Sequence, residues 1–369
     1  MIQSLHIQNF KNLVDLRLPK LARVNLISGK NNLGKTTLLE AIRLYISDSQ
    51  LTDILSSRGE ILADLRPEAT NEDMLKSNFN AISSLFTNRN STIGPENTIL
   101  ITDGKSRMTI RFIYYIFQSF QNGTQTYQGM MPIDDPAGYR DEVYIGLEIM
   151  RNDKYSTRLP LVRSLKYQKY YLNDNKSKPA ERLLCVNYNN YDNEAHTSRL
   201  WDAVTLTDKE AAVIKALQII EPKVENLAFL EDSLSRNRYP VVKVKGLNGR
   251  VPLKSMGDGI NHILSIILAI VNCENGCVMI DEIDNGLHYT IQKQLWSVIF
   301  DLAKSLNVQI FATTHSSDCI SSFSKVVEDE RYKEEGSFIR LELKNGQVAA
   351  TEYSPEELEI VAAQNIEIR

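Results

Sequence analysis

The sequence predicts an α/β fold built on a mixed β-sheet, and three stretches predict it. The first is the apolar run Val24 to Ile27, which feeds Gly29-Lys30-Asn31-Asn32-Leu33-Gly34-Lys35-Thr36-Thr37 and then a helix marked by Leu38, Leu39, Ile42 and Ile46. The second is Cys277-Val278-Met279-Ile280, an uncharged run ending in Asp281-Glu282. The third is Val308 to Thr313, which ends in Thr314-His315. Between the last two, Ile291, Leu295, Val298, Ile299 and Leu302 recur at helical spacing, and strand–helix–strand is the order that parallel pairing needs.

The other elements follow from local pattern. Alternation around Leu5, Ile7 and Phe10, then Leu16 and Leu18, predicts two short strands ahead of the first apolar run. Residues 47–97 read as polar and irregular. Asp103-Gly104 lies between Ile99-Leu100-Ile101 and Met108 to Ile113, which predicts a hairpin over Thr98 to Tyr115, and further strand-like sequence surrounds Tyr144 to Glu148. Thr207-Asp208-Lys209-Glu210 reads as a capping box for a helix carrying Val213, Ile214, Leu217 and Ile220 and stopped by Pro222. Val241 to Val244 and Val251 to Leu253 form a strand pair about Gly246 to Gly249. A long apolar helix through Ile263, Ile267 and Ile270 follows Gly259, and a last hairpin surrounds Asn345-Gly346. No repeat or sustained heptad is present, so no long coiled coil is expected.

Composition bounds the function. The 369 residues are 43% hydrophobic and 24% charged with a formal net charge of -4, which is ordinary for a soluble globular chain and excludes a uniformly basic nucleic-acid binder. Any nucleic-acid contact must be a local patch. Residues 151–182 are one candidate: Arg151, Lys154, Arg158, Arg163, Lys166, Lys169, Lys176, Lys178 and Arg182 are interleaved with Tyr167, Tyr170 and Tyr171, as either a solvated surface hairpin or a nucleic-acid track. The N-terminus has no basic stretch followed by an apolar one, and runs such as Ile266 to Val271 are too short to cross a bilayer, so a cytoplasmic protein without a membrane partner is expected. Cys273 and Cys277 lack a second Cys or His pair and read as small apolar residues.

The chemistry concentrates at the three strand ends. Gly29, Asn31, Asn32, Gly34, Lys35, Thr36 and Thr37 form a phosphate-binding loop of the pattern G-x-x-x-x-G-K-[ST]. Its glycines let backbone N–H groups and the next helix's N-terminus face a triphosphate. Lys35 would reach the β- and γ-phosphates, and the Thr36 hydroxyl would join Asp281 in holding Mg²⁺. Glu282, next to Asp281, is the candidate to orient and deprotonate water, and His315 would stand near the γ-phosphate. Lys254-Ser255-Met256-Gly257-Asp258-Gly259 is a glycine-rich helix start, with Ser255 and Gly257 as further phosphate contacts.

In this order, these blocks resemble the ABC-type ATPase heads of the SMC, Rad50, RecF and overcoming-lysogenisation-defect group, most closely the bacterial ATP-binding proteins of the AAA-15/AAA-21 type. Asn9-Phe10-Lys11-Asn12 resembles that group's N-terminal motif and makes Lys11 a nucleotide-contact candidate. Asp284-Asn285-Gly286-Leu287-His288 resembles its D-loop, which adds Asn285 and His288. The likeness extends to Ser84-Leu85-Phe86, Leu200-Trp201-Asp202, Phe311 to Ile320 and Ile366 to Arg369. No Q-loop glutamine stands out, and only Asn187 and Asn189 offer amides where one is expected. The resemblance implies one head over 1–369: an N-terminal lobe over 1–190, a helical signature lobe over 191–325 and a C-terminal hairpin and helix over 326–369. It implies Mg-dependent ATP hydrolysis in a homodimer that sandwiches two nucleotides. It also implies a switch or sensor ATPase of a phage-defence pair controlling a separate TOPRIM-type nuclease, since the chain ends soon after the last hairpin. The alternative is a RecF-like DNA-repair or DNA-organising ATPase that binds DNA directly.

Overall fold

A computed structural model describes residues 1–47, 51, 54–55, 70–122, 125–139, 142–162, 183–186, 194–231 and 237–363. Strands β1 (Leu5–Phe10), β2 (Leu13–Leu18) and β3 (Val24–Ser28) come first, and α1 (Lys35–Ile46) follows the glycine loop directly. Helix α2 (Asn71–Ser83) leads to β4 (Thr98–Thr102), β5 (Arg107–Asn122), β6 (Gln125–Ile133), β7 (Tyr144–Arg151) and β8 (Lys154–Pro160). After β9 (Leu183–Val186) come α3 (Glu194–Asp202), α4 (Asp208–Ile220), β10 (Val224–Glu231), β11 (Arg238–Val244), β12 (Arg250–Pro252) and α5 (Asp258–Asn272). The chain then alternates β13 (Cys277–Ile280), α6 (Tyr289–Ser305), β14 (Gln309–Thr313), α7 (Ser317–Val327) and β15 (Gly336–Lys344), followed by β16 (Gln347–Tyr353) and α8 (Pro355–Ala363).

A six-stranded sheet of order β16-β15-β3-β14-β13-β9 positions the chemistry. Every pairing from β15 to β9 is parallel, and only β16 runs antiparallel. Strands β3, β13 and β14 are buried at every residue, because both faces of the parallel sheet are covered; most of their side chains are apolar, and the buried Asn25 amide is satisfied by Ala22 and Ile310. One face, with Val24, Leu26, Val278, Ile280 and Ile310, packs on α5, α6 and α7. The other, with Ile27, Met279 and Phe311, packs on α1 and on a seven-stranded antiparallel sheet of order β2-β1-β4-β5-β7-β8, with β6 on β5. Strands β10, β11 and β12 form a third, antiparallel sheet. The mixed sheet, the antiparallel N-terminal part and the short helices match the expected fold class, and no long coiled coil occurs among the described residues.

Local departures have local causes. Within the stretch read as irregular, α2 is opened by a reciprocal cap in which the Thr70 hydroxyl accepts from Asp73 N and the Asp73 carboxylate accepts from Thr70 N. Asp replaces the usual Glu or Gln of that box, which hides it in the sequence. The box read at Thr207 is incomplete: its hydroxyl accepts from Lys209 N, but Glu210 reaches back to Leu206 N at 2.6 Å. The hairpin at Asp103-Gly104 forms as expected, with Asp103 Oδ1 accepting from Lys105 N and Ser106 N. Strand β5 runs on to Asn122 because its second half gains β6 as a partner. In the basic stretch, Arg158 is engaged with Glu148 on the sheet, and Arg151 donates to Leu44 O. Residues 163–182 lie outside the described residues, as do Asn187, Asn189 and Ile366 to Arg369.

Candidate active site

Parallel pairing brings the C-terminal ends of β3, β13 and β14 to one edge of the sheet, where ligands bind in open α/β folds. A cleft of 740 Å³ opens there. Its walls include Lys11, Asn31, Asn32, Gly34, Lys35, Thr36, Thr37, Asp281 and Glu282.

The loop between β3 and α1 depends on two glycines. Gly29 has φ 151, and a Cβ there would stand 2.8 Å from the Leu341 carbonyl oxygen on β15. Gly34 has φ 99, and a Cβ there would stand 2.7 Å from the Asn12 amide. Gly34 also caps α1 without a side chain, so the first N–H groups of the helix keep their donor capacity beside the cleft. That makes the helix start an anion site. Lys35 Nζ donates to Gly29 O at 2.7 Å and to Lys30 O at 3.3 Å, which curls its ammonium over the loop. Burial lowers the Lys35 pKa, while Asp281, Glu282 and Asp284 oppose that shift.

A chain of hydrogen bonds links the loop to the carboxylates. Thr36 Oγ1 donates to Asp281 Oδ2 at 3.0 Å, and Thr313 Oγ1 donates to Asp281 Oδ1 at 2.5 Å. Thr313 Oγ1 also accepts from Glu282 N at 2.9 Å. Glu282 adopts a left-handed backbone, φ 55, which costs about 1–2 kcal/mol for a residue with a Cβ and must be held by its surroundings. Asn285 helps: its N–H donates to Glu282 O at 3.0 Å, and its amide approaches Glu282 Oε2 at 3.4 Å. Thr314 Oγ1 donates to Asp284 Oδ1 at 2.5 Å, anchoring the next turn.

The remaining candidates lie at the border of the cleft or outside it. Lys11 borders the cleft, but its ammonium forms a buried ion pair with Glu40 of α1 at 2.9 Å. Ser255 and Gly257 sit on the exposed turn before α5; Ser255 Oγ donates to Pro252 O at 2.7 Å, and Gly257 takes φ 116. Asn285 contacts Glu282 instead of lining the cleft. His288 is exposed, caps α6 through Thr290 N and lies tilted against the Tyr289 ring. His315 is exposed just past β14 and is not a wall of this cleft. Asn12, Ser84, Arg89, Thr313 and Thr314 carry no site role in the sequence reading, yet the first three line the cleft and the threonines hold its carboxylates. The visible signal for Thr313 and Thr314 was two hydroxyls closing an otherwise apolar buried strand.

The donors available at Thr36 and Asp281 are hard oxygens, one hydroxyl and one carboxylate, and suit Mg²⁺, which keeps waters and substrate phosphates as its remaining ligands.

A phosphate loop and an acidic strand end brought together on this sheet define the class: an ATPase. More narrowly, the chain belongs to the AAA ATPase domain family, whose model matches residues 1–229 and 218–320. It is similar to an ATP/GTP phosphatase of Helicobacter pylori, at 23% identity over 379 residues and 97% of each chain. An uncharacterized protein of Methanocaldococcus jannaschii is 45% identical over 47 residues, 13% of this chain and 22% of that protein. Among solved structures, an SMC head bound to the C-winged helix domain of ScpA shares the fold, with TM-score 0.51 and 13% identity over 96% of this chain and 98% of that one.

Proposed function

We propose that this ATPase works with Mg²⁺ as a homodimer in which each nucleotide lies between one subunit's phosphate loop and the other's Ser255-Met256-Gly257 turn, and that the nucleotide acts as a switch. The observation that carries the reading is the hydrogen-bonded run Thr36–Asp281–Thr313–Glu282 N, which fixes the phosphate loop and the carboxylate pair to each other.

In this mechanism the N–H groups at the start of α1 and the Lys35 ammonium bind the β- and γ-phosphates, Lys35 exchanging its loop carbonyls for phosphate oxygens. Thr36 and Asp281 would hold Mg²⁺, which would supply positive charge beside the phosphoryl oxygens. Glu282, steadied by Asn285, orients the attacking water and takes its proton. Thr313 keeps Asp281 and the Glu282 turn in register. His315, one residue past the Thr314–Asp284 anchor, approaches the γ-phosphate when the dimer closes. The exposure of Ser255 and Gly257, away from their own subunit's cleft, supports their use in trans. The client of the switch, on the family likeness, is a separate TOPRIM-type nuclease in a phage-defence pair.

Turnover measured against protein concentration tests the reading. Activity per chain should rise with concentration and vanish in Glu282→Gln, which should then accumulate as an ATP-bound dimer. A rate per chain that is independent of concentration would refute the sandwich. The Helicobacter relative is named for ATP and GTP, so GTP should be run beside ATP.

A further inference from the structure

The helix that follows the Ser255-Met256-Gly257 turn is bonded to the catalytic turn of its own subunit. His262, on the second turn of α5, is 1% exposed, and its Nε2 lies 3.2 Å from Ile283 O. A carbonyl only accepts, so Nε2 carries the proton and donates. Burial pushes the His262 pKa down to about 4, against smaller opposing effects from the Ile283 bond and from Asp284, so the ring is neutral at physiological pH. Ile283 is the residue directly after Glu282, and its own N–H donates to Thr313 O at 3.0 Å. One turn earlier on α5, a Cβ at Gly259 would stand 2.5 Å from Gly286 O, so helix and loop touch backbone to backbone. The turn at Glu282-Ile283 is therefore held from two sides, by Thr313 of β14 at Glu282 N and by His262 of α5 at Ile283 O.

We propose that His262 is a positioning residue that ties α5 to the Glu282 turn, so that engagement of Ser255 and Gly257 with the other subunit's nucleotide is felt at this subunit's own carboxylate. The inference rests on the dimeric reading above. Each subunit lends its Ser255 turn to one nucleotide and its Glu282 to the other, and a rigid contact between the two couples the sites. Coupling of this kind appears as positive cooperativity in ATP, and loss of the contact appears in kcat with little change in KM, because it disturbs a group that acts only in the reaction step.

The test compares three variants of the full chain. In His262→Gln the amide nitrogen extends as far as Nε2 and can reach the carbonyl; in His262→Asn it falls short; in His262→Leu the donor is absent. His262→Gln should retain turnover within about threefold, whereas Asn and Leu should lower kcat about 10- to 100-fold, the scale of one lost positioning hydrogen bond. In those two, KM for ATP should stay within about twofold and the Hill coefficient should fall toward one. Equal activity in all three variants, equal loss in all three including failure to fold, or a change confined to KM would overturn the proposal. Wild-type chain that does not turn over ATP would overturn the functional reading with it, whereas active wild type with indistinguishable variants would overturn only the role of His262.

Discussion

Thr313→Val replaces a fully buried hydroxyl by a methyl of the same shape, so its effect isolates two hydrogen bonds. The first is the 2.5 Å donation to the Asp281 carboxylate, a charge-assisted bond of about 1.5–3 kcal/mol. The second is the acceptance from Glu282 N at 2.9 Å; without it that N–H has no hydroxyl to meet, at a cost of about 1–3 kcal/mol. Together the variant should lose about 2.5–6 kcal/mol, less whatever Asp281 recovers by turning toward water at the cleft. Urea unfolding followed by far-UV circular dichroism reads the loss as a shift in midpoint at constant slope. Turnover should fall at least about tenfold, since Asp281 and the Glu282 turn lose their common anchor. Thr313→Ser keeps the hydroxyl and gives up one buried methyl, so it should cost only about 1 kcal/mol and keep most activity. A Val variant within about 0.5 kcal/mol of wild type, with unchanged turnover, would show that these bonds do not hold the carboxylates, and the mechanism would lose its frame.

Two further outcomes follow from the same geometry. Gly34→Ala combines a φ of 99, which strains any residue with a Cβ, with a Cβ 2.7 Å from the Asn12 amide, which must swing aside; fluorescent-nucleotide titration should show affinity falling at least about tenfold, and thermal unfolding should show a stability loss of about 1–3 kcal/mol. His262 adds a pH dependence. Its pKa lies near 4 folded against an ordinary 6.5, so between those values the unfolded chain binds more protons. Its contribution to stability is complete above pH 6.5 and is lost as the pH falls toward 4, by about 3 kcal/mol. Denaturation midpoints across that range should fall less steeply in His262→Gln, and parallel curves would contradict the burial of a neutral ring.

The parallel sheet was the most legible part of the fold because its central strands are mainly apolar, carry no charge and end in chemistry-bearing residues: Gly29 to Thr37, Asp281-Glu282 and Thr314-His315. What stayed hidden depends on contacts between distant segments. Asn12 is an ordinary surface residue until β1 and β2 carry it onto Gly34. Lys11 reads as a nucleotide contact and does line the cleft, but its ion pair with Glu40, one helical turn past Thr36 on α1, is visible only in the fold. Helix α2 hides in the sequence because Asp73 stands in the capping box and its apolar stripe, Leu75, Phe79 and Ile82, is sparse among polar residues. Strand β10 was missed where a register shift between Val224 and Asn226 breaks its alternation. His262 looked like one more residue of an apolar helix, and only tertiary contact with Ile283 gives its ring a task.

The composite site is tested most directly by mixing two inactive subunits. Ser255→Arg keeps the phosphate loop and blocks the turn offered to the partner, whereas Lys35→Ala keeps that turn and cripples the loop. Each variant alone should be nearly inactive in a dimer whose sites are shared. Mixed in equal amounts they should regain up to about a quarter of wild-type turnover, because half the dimers are mixed and each of those holds one intact site. A mixture no more active than its parts, or a Ser255→Arg protein with full activity by itself, would contradict nucleotide sandwiched between two subunits.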